Sequence, residues 1–121
     1  MSKPWVIVPL ALLLLFAGAA AAVAQKKQEP LRTVHGEVVD KQDSPLPASV
    51  VYLKNLRTLT VKTYIADDDG RYRFSGLDPN VDYEIHAEHG DSASGKHTIS
   101  SFDTRKEIVI HLKVDKKKNG K

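Results

Sequence analysis

The residues able to do chemistry here are five histidines, a run of three aspartates and a few hydroxyl groups. His35, His86, His89, His97 and His111 offer imidazole, and a hydrolytic metal centre needs two or three such groups converging with a carboxylate. Their spacing does not assemble one. His86 and His89 are three residues apart in an alternating segment, which sends them to opposite faces of a strand. His35 and His111 both point outward and become neighbours if the first and last strands pair. Asp67, Asp68 and Asp69 suggest a hard-cation loop, but the chain enters a strand at Arg71 without ligands continuing to a bidentate glutamate. Turn formation is the better reading. Ser75-Gly76 and Ser94-Gly95 have no nucleophile-elbow surroundings, and the absence of cysteine excludes thiol chemistry. No catalytic residue, metal ligand or cofactor is assigned, and the protein is expected not to be an enzyme. Sugar binding would want exposed rings; Trp5 lies in the N-terminal apolar segment, so Tyr52 and Tyr64 are the candidates for carbohydrate or partner contact.

These residues sit in a chain of 121 with a formal charge of +3 and a pI near 9.1, which suits one domain. Between Val34 and Val114 there are 10 Lys and Arg against 13 Asp and Glu, a net of −3, so the excess positive charge lies in the flanks. No cluster of Lys and Arg with interleaved aromatics marks a nucleic-acid face, and that partner class is excluded. Lys3, the apolar run Val6 to Phe16 and the small residues Ala17 to Ala24 read as an export signal, residues 1–24, cleaved before Gln25. If the segment is kept, it becomes a membrane anchor. The expected location is periplasmic or secreted, of bacterial type, since an exported chain without cysteine must be held by its core alone. Residues 25–33 read as a linker and 115–121, with four lysines, as a frayed basic tail.

Between these ends the apolar period is two. Val34, Gly36 and Val38; Val51 and Leu53; Leu59, Val61, Thr63 and Ile65; Tyr72 and Phe74; Tyr83, Ile85 and Ala87; and Ile108, Ile110, Leu112 and Val114 are the expected inward rows. Ser94 to Phe102 is a weaker segment, with Ile99 and Phe102 as its anchors. The fold class is therefore all-β: a single seven-stranded antiparallel β-sandwich, Ig-like or prealbumin-like, preceded by a signal peptide. Its structural core and turn residues are Gly36, Val38, Val51, Leu53, Gly70, Tyr72, Phe74, Leu77, Pro79 and Tyr83.

Three stretches carry a family resemblance. They are Val34-His35-Gly36-Glu37-Val38-Val39-Asp40, Ser44-Pro45-Leu46-Pro47-Ala48-Ser49-Val50-Val51-Tyr52-Leu53, and Asp67-Asp68-Asp69-Gly70-Arg71-Tyr72-Arg73-Phe74 followed by Leu77-Asp78-Pro79 and Tyr83. In this order and spacing they resemble the carboxypeptidase regulatory-like domain, over residues 34–114. The resemblance implies a transthyretin-like sandwich within a carbohydrate-binding-like fold grouping, found as an accessory or stand-alone module in exported bacterial proteins. It implies a non-catalytic scaffold or protein-interaction role beside an envelope or extracellular protein; a carbohydrate-binding module, with a polysaccharide partner, is the alternative. The fold group also includes hydroxyisourate hydrolases with a Tyr-Arg-Gly-Ser-type C-terminus, whereas this chain ends Lys118-Asn119-Gly120-Lys121. Three positions depart from the pattern: Ser44 replaces a turn glycine, Asn80 replaces Pro-Gly, and Gly90 is followed by Asp91 where an aromatic is usual. The last implies that the loop from His89 to Lys96 is mobile or differently packed.

Overall fold

The computed structural model describes residues 30–118. The expected signal segment 1–24, its cleavage before Gln25, and most of the expected linker lie outside these residues. Nine strands form: β1 (Arg32–Val39), β2 (Val50–Asn55), β3 (Val61–Ile65), β4 (Arg71–Leu77), β5 (Tyr83–His89), β6 (Ser92–Ser94), β7 (His97–Ile99), β8 (Glu107–Val109) and β9 (Leu112–Lys117). There is no α-helix among the described residues. The strands make one hydrogen-bonded path, β3-β2-β5-β6-β9-β1-β4, with β7 also on β5 and β8 also on β1. Its two end strands approach one another where the Tyr64 ring meets the edge of Phe74 at 5.9 Å, so the sheet is nearly barrel-like.

The sheet is mixed, not wholly antiparallel as expected. β1 pairs antiparallel with β4 but parallel with both β8 and β9. The physical reason lies at Ile110, where the expected last strand breaks in two. Ile110 donates its N–H to the His35 carbonyl at 2.9 Å, and its own carbonyl accepts the Tyr72 hydroxyl at 2.6 Å. That carbonyl lies directly over Gly36, where a Cβ would come within 2.0 Å of it. Gly36 thus lets the chain cross β1, and Tyr72 fastens the crossing. Burial pushes the Tyr72 phenol above its ordinary range, so it stays a hydrogen-bond donor throughout the working pH range.

The expected turn at Gly70 forms with φ 76°, in the left-handed region that favours glycine. Asp67 Oδ1 accepts the N–H groups of Asp69 and Arg71, both at 2.9 Å, and the Gly70 N–H donates to the Asp67 carbonyl. The aspartate run therefore shapes the turn, as expected.

The core contains Val34, Val38, Val51, Leu53, Tyr72, Phe74, Leu77, Tyr83, Ile85, Ala87, Ile99, Ile108, Leu112 and Val114. Pro79 is half-buried beside it. Three inward assignments are corrected. Phe102 is 92% exposed on a turn, and Ile110 is only partly buried at the crossing. The third is all of β3, every residue of which is exposed. Val51 and Leu53 point into the core, and their register partners on β3 are Tyr64 and Lys62, so Val61, Thr63 and Ile65 face outward. The turn before β3 sets this inverted register: Asn55 Oδ1 holds the N–H groups of Arg57 and Thr58, Leu59 takes φ 66°, and Asn55 N–H donates to the Thr60 carbonyl.

The expected linker and tail also change at their inner ends. β1 starts at Arg32, inside the stretch read as linker, and β9 continues through Lys117, inside the stretch read as frayed. The His89 to Lys96 loop is packed: Gly90 makes a tight turn at φ 61°, and β6 is hydrogen-bonded between β5 and β9.

Candidate functional site

Three places on the surface bring polar or apolar groups together. The first is the outer face running from β2 across β5 to β9. Antiparallel register sets Tyr52 opposite His86, and the two rings stack at 4.9 Å with an interplanar angle of 11°. His86 Nε2 is 3.0 Å from Glu88 Oε2, two residues along the same strand face, and Lys118 Nζ lies 3.1 Å from the other carboxylate oxygen. These partners, His86 first and then Lys118, hold the Glu88 carboxyl below the ordinary glutamate range against a smaller opposing effect of burial. Beyond Glu88 opens a hollow of about 710 Å³ lined by Ala93, Ser94, Gly95, Lys96, Lys116, Lys117 and Lys118. The Ser94 hydroxyl accepts from the Ala87 N–H at 2.9 Å and donates to the Gly95 carbonyl at 2.8 Å, so it shapes the backbone of the wall.

The second place is the outward face of β3. Val61 is 50% exposed and Ile65 67%, with Leu59 beside them in the preceding turn. β3 ends the strand path, so its far side has no neighbouring strand in the described residues. The third is a smaller hollow of about 330 Å³ holding His35, Gly36, Glu37, Arg71, Val109 and His111. The expected neighbourhood of His35 and His111 thus exists, and His111 Nδ1 accepts the Glu37 N–H at 3.3 Å. No group of three or more His, Cys, Asp or Glu side chains that would hold a metal is present among the described residues.

Tyr52 and Tyr64 are not brought together. Tyr52 stands on the outer face against His86, whereas Tyr64 points to the opposite side and meets Phe74. A two-ring platform is absent from this pair.

The regulatory-like family model matches residues 33–113, well over half of the 121-residue chain. The chain belongs to the carboxypeptidase regulatory-like domain family. No curated protein matches it. Among solved structures it is similar to 3-chlorocatechol 1,2-dioxygenase from Rhodococcus opacus 1CP (TM-score 0.57, 10% identity, 74% of this chain and 62% of that one). It is also similar to catechol 1,2-dioxygenase from Acinetobacter sp. ADP1 (TM-score 0.54, 12% identity, 77% and 55%) and to the shaft pilin SpaA from Lactobacillus rhamnosus GG (TM-score 0.56, 12% identity, 73% and 49%). The chain therefore spans about half to three fifths of those proteins, and at such identity the likeness is one of fold alone.

Within this regulatory-like domain, sequence reading missed one structural residue outright. Arg32 is 2% exposed, and its guanidinium donates to the carbonyls of Ser100, Asp103, Asp78 and Val81 at 2.8–3.2 Å. It ties the start of β1 to two loops. No local pattern announces this, because the acceptors are backbone atoms 46 to 71 residues away. The lysines of β9 were missed as a surface for a different reason: their strand partner, β6, is three residues long and polar, with no apolar alternation to reveal it.

Proposed function

We propose that the chain is an exported, non-catalytic accessory module of the regulatory-like type that receives an extended segment of a protein partner along β3. One observation carries this reading. A terminal strand with its apolar row turned to solvent is an edge that native proteins ordinarily blunt or cover, and β-strand addition is the recognition mode such an edge serves. Backbone hydrogen bonds to the free edge would give affinity, while Val61 and Ile65 would supply side-chain selectivity. The likeness to a shaft pilin supports a building-block use of this fold, whereas the likeness to the dioxygenases carries no chemistry with it. The residues matched to the family, Gly36, Gly70, Tyr72 and Phe74 among them, serve turns and core.

The test pairs capture with turnover. Affinity capture with the full chain is expected to retain an envelope or extracellular protein, to lose it in the Val61→Glu, Ile65→Glu double variant, and to show no hydrolysis of peptide, ester or ureide substrates. Retention of the same partner by the double variant, or measurable turnover, overturns the reading.

A further inference from the structure

The lysine hollow has no part in the β3 reading and stands independently of it. Lys96, Lys116, Lys117 and Lys118 line it against a single carboxylate, Glu88. Glu88 is already engaged, with one oxygen on Lys118 and the other on His86. Lys116 reaches Asp115 only at 3.9 Å, the limit of ion pairing. Lys96 and Lys117 have no carboxylate partner among the described residues. Three of these cations occupy consecutive positions at the end of a paired strand, so folding holds them near one another and near Lys96. Like charges gathered in this way repel, and an arriving anion relieves that repulsion.

We propose that this hollow binds an acidic polysaccharide, a chain of sugars carrying carboxylates. Its volume falls in the range of ligand sites, and it is an open trough, which admits a polymer passing through. Its cations are all lysines, point charges suited to singly charged groups spaced along a chain, and it lacks the arginine forks that favour bidentate phosphate recognition. None of the exposed large apolar side chains lines it, so the apolar wedge of a membrane-docking surface is missing. The nearest rings, Tyr52 and His86, are stacked on one another, so they make a poor platform for nucleic-acid bases.

The experiment compares the full chain with two triple variants that lose equal charge. One is Lys96→Gln, Lys116→Gln, Lys117→Gln, which spares the Lys118 contact to Glu88; the other is Lys41→Gln, Lys62→Gln, Lys106→Gln, at exposed lysines outside the hollow. Unchanged thermal midpoints establish that both fold. Polygalacturonate is expected to bind the wild type at low salt, about tenfold more weakly the hollow variant, and within about twofold the control. Neutral dextran is expected not to bind, and high salt to abolish the interaction. Equal weakening by both variants would reduce the site to bulk charge and overturn the proposal. So would binding of dextran, or lysine-dependent binding of phosphatidylglycerol vesicles or a single-stranded oligonucleotide without binding of polygalacturonate. A hollow variant that does not fold is replaced by Lys96→Gln alone, expected to weaken polygalacturonate by about twofold to threefold; no change there overturns the proposal.

Discussion

The two ends of the strand path, β4 and β3, look alike in sequence and behave oppositely. Both alternate apolar with polar residues, and both are end strands. β4 buries Tyr72 and Phe74, to 2% and 7% exposure, while every residue of β3 stays exposed. Alternation with period two shows that a segment is a strand; it does not say which row faces in or whether either is covered. That is decided by register, and register here is set by turns. The Asp67 to Gly70 turn delivers β4 with its rings inward, whereas the Asn55 turn delivers β3 with its apolar row outward.

The strongest way to break this contrast is to remove the ring that β4 buries. Phe74→Ala is expected to cost ~3 to 5 kcal/mol, since it empties a core position that also supports Tyr64 and Tyr72. A denaturant midpoint equal to wild type would show that the inward face of β4 is wrongly assigned. Arg32→Ala comes next. It leaves four carbonyls without their shared donor and is expected to cost about 2 to 4 kcal/mol by the same measurement, with loss of hydrogen-exchange protection concentrated in the Asp78 to Val81 and Ser100 to Asp103 loops. Protection lost uniformly would refute a local cage.

A smaller effect is expected where the β9 lysines meet β5. Glu88 titrates below its ordinary value, so its contribution is fully present above the unfolded glutamate value, near pH 4.5, and is lost as pH falls through the depressed folded value. The pair is partly solvated, and Glu88→Gln is expected to cost about 0.5 to 1 kcal/mol at pH 7 and almost nothing at pH 3. An equal cost at both pH values would assign the contact to packing rather than charge.

What the sequence made legible follows the same division. Residues whose neighbours lie within one turn or one strand could be read: the Asp67 to Gly70 turn, the paired rings of β4, the inward row of β5. The family and its all-β architecture rest on such local signals. Residues whose role depends on distant backbone could not. Arg32 reads as linker until the carbonyls around it are placed, and Ile110 reads as an inward strand residue until Gly36 is seen beneath its carbonyl. Lys116 to Lys118 read as tail because the short polar β6 that pairs with two of them gives no periodic signal. Tyr52 and Tyr64 read as one platform because the parity of β3 relative to β2 depends on the turn between them.

The last test bears on that parity directly. Val61→Thr with Ile65→Thr keeps β-branched side chains, and so the strand preference, while removing apolar surface from the outward row of β3. If these two residues faced the core, as alternation alone suggested, burying two hydroxyls in their place would cost several kcal/mol together. Their exposures of 50% and 67% place both on the solvent side, where a substitution of this kind changes stability by no more than ~0.5 kcal/mol. The same double variant is expected to weaken partner capture, because the apolar row that gives β3 its selectivity has been made polar. Phe74→Ala and the β3 variant therefore pull the two end strands apart experimentally: one should lose stability, the other should lose binding and keep its fold. A β3 variant that unfolds earlier than wild type by 2 kcal/mol or more would return Val61 and Ile65 to the core and dissolve the contrast.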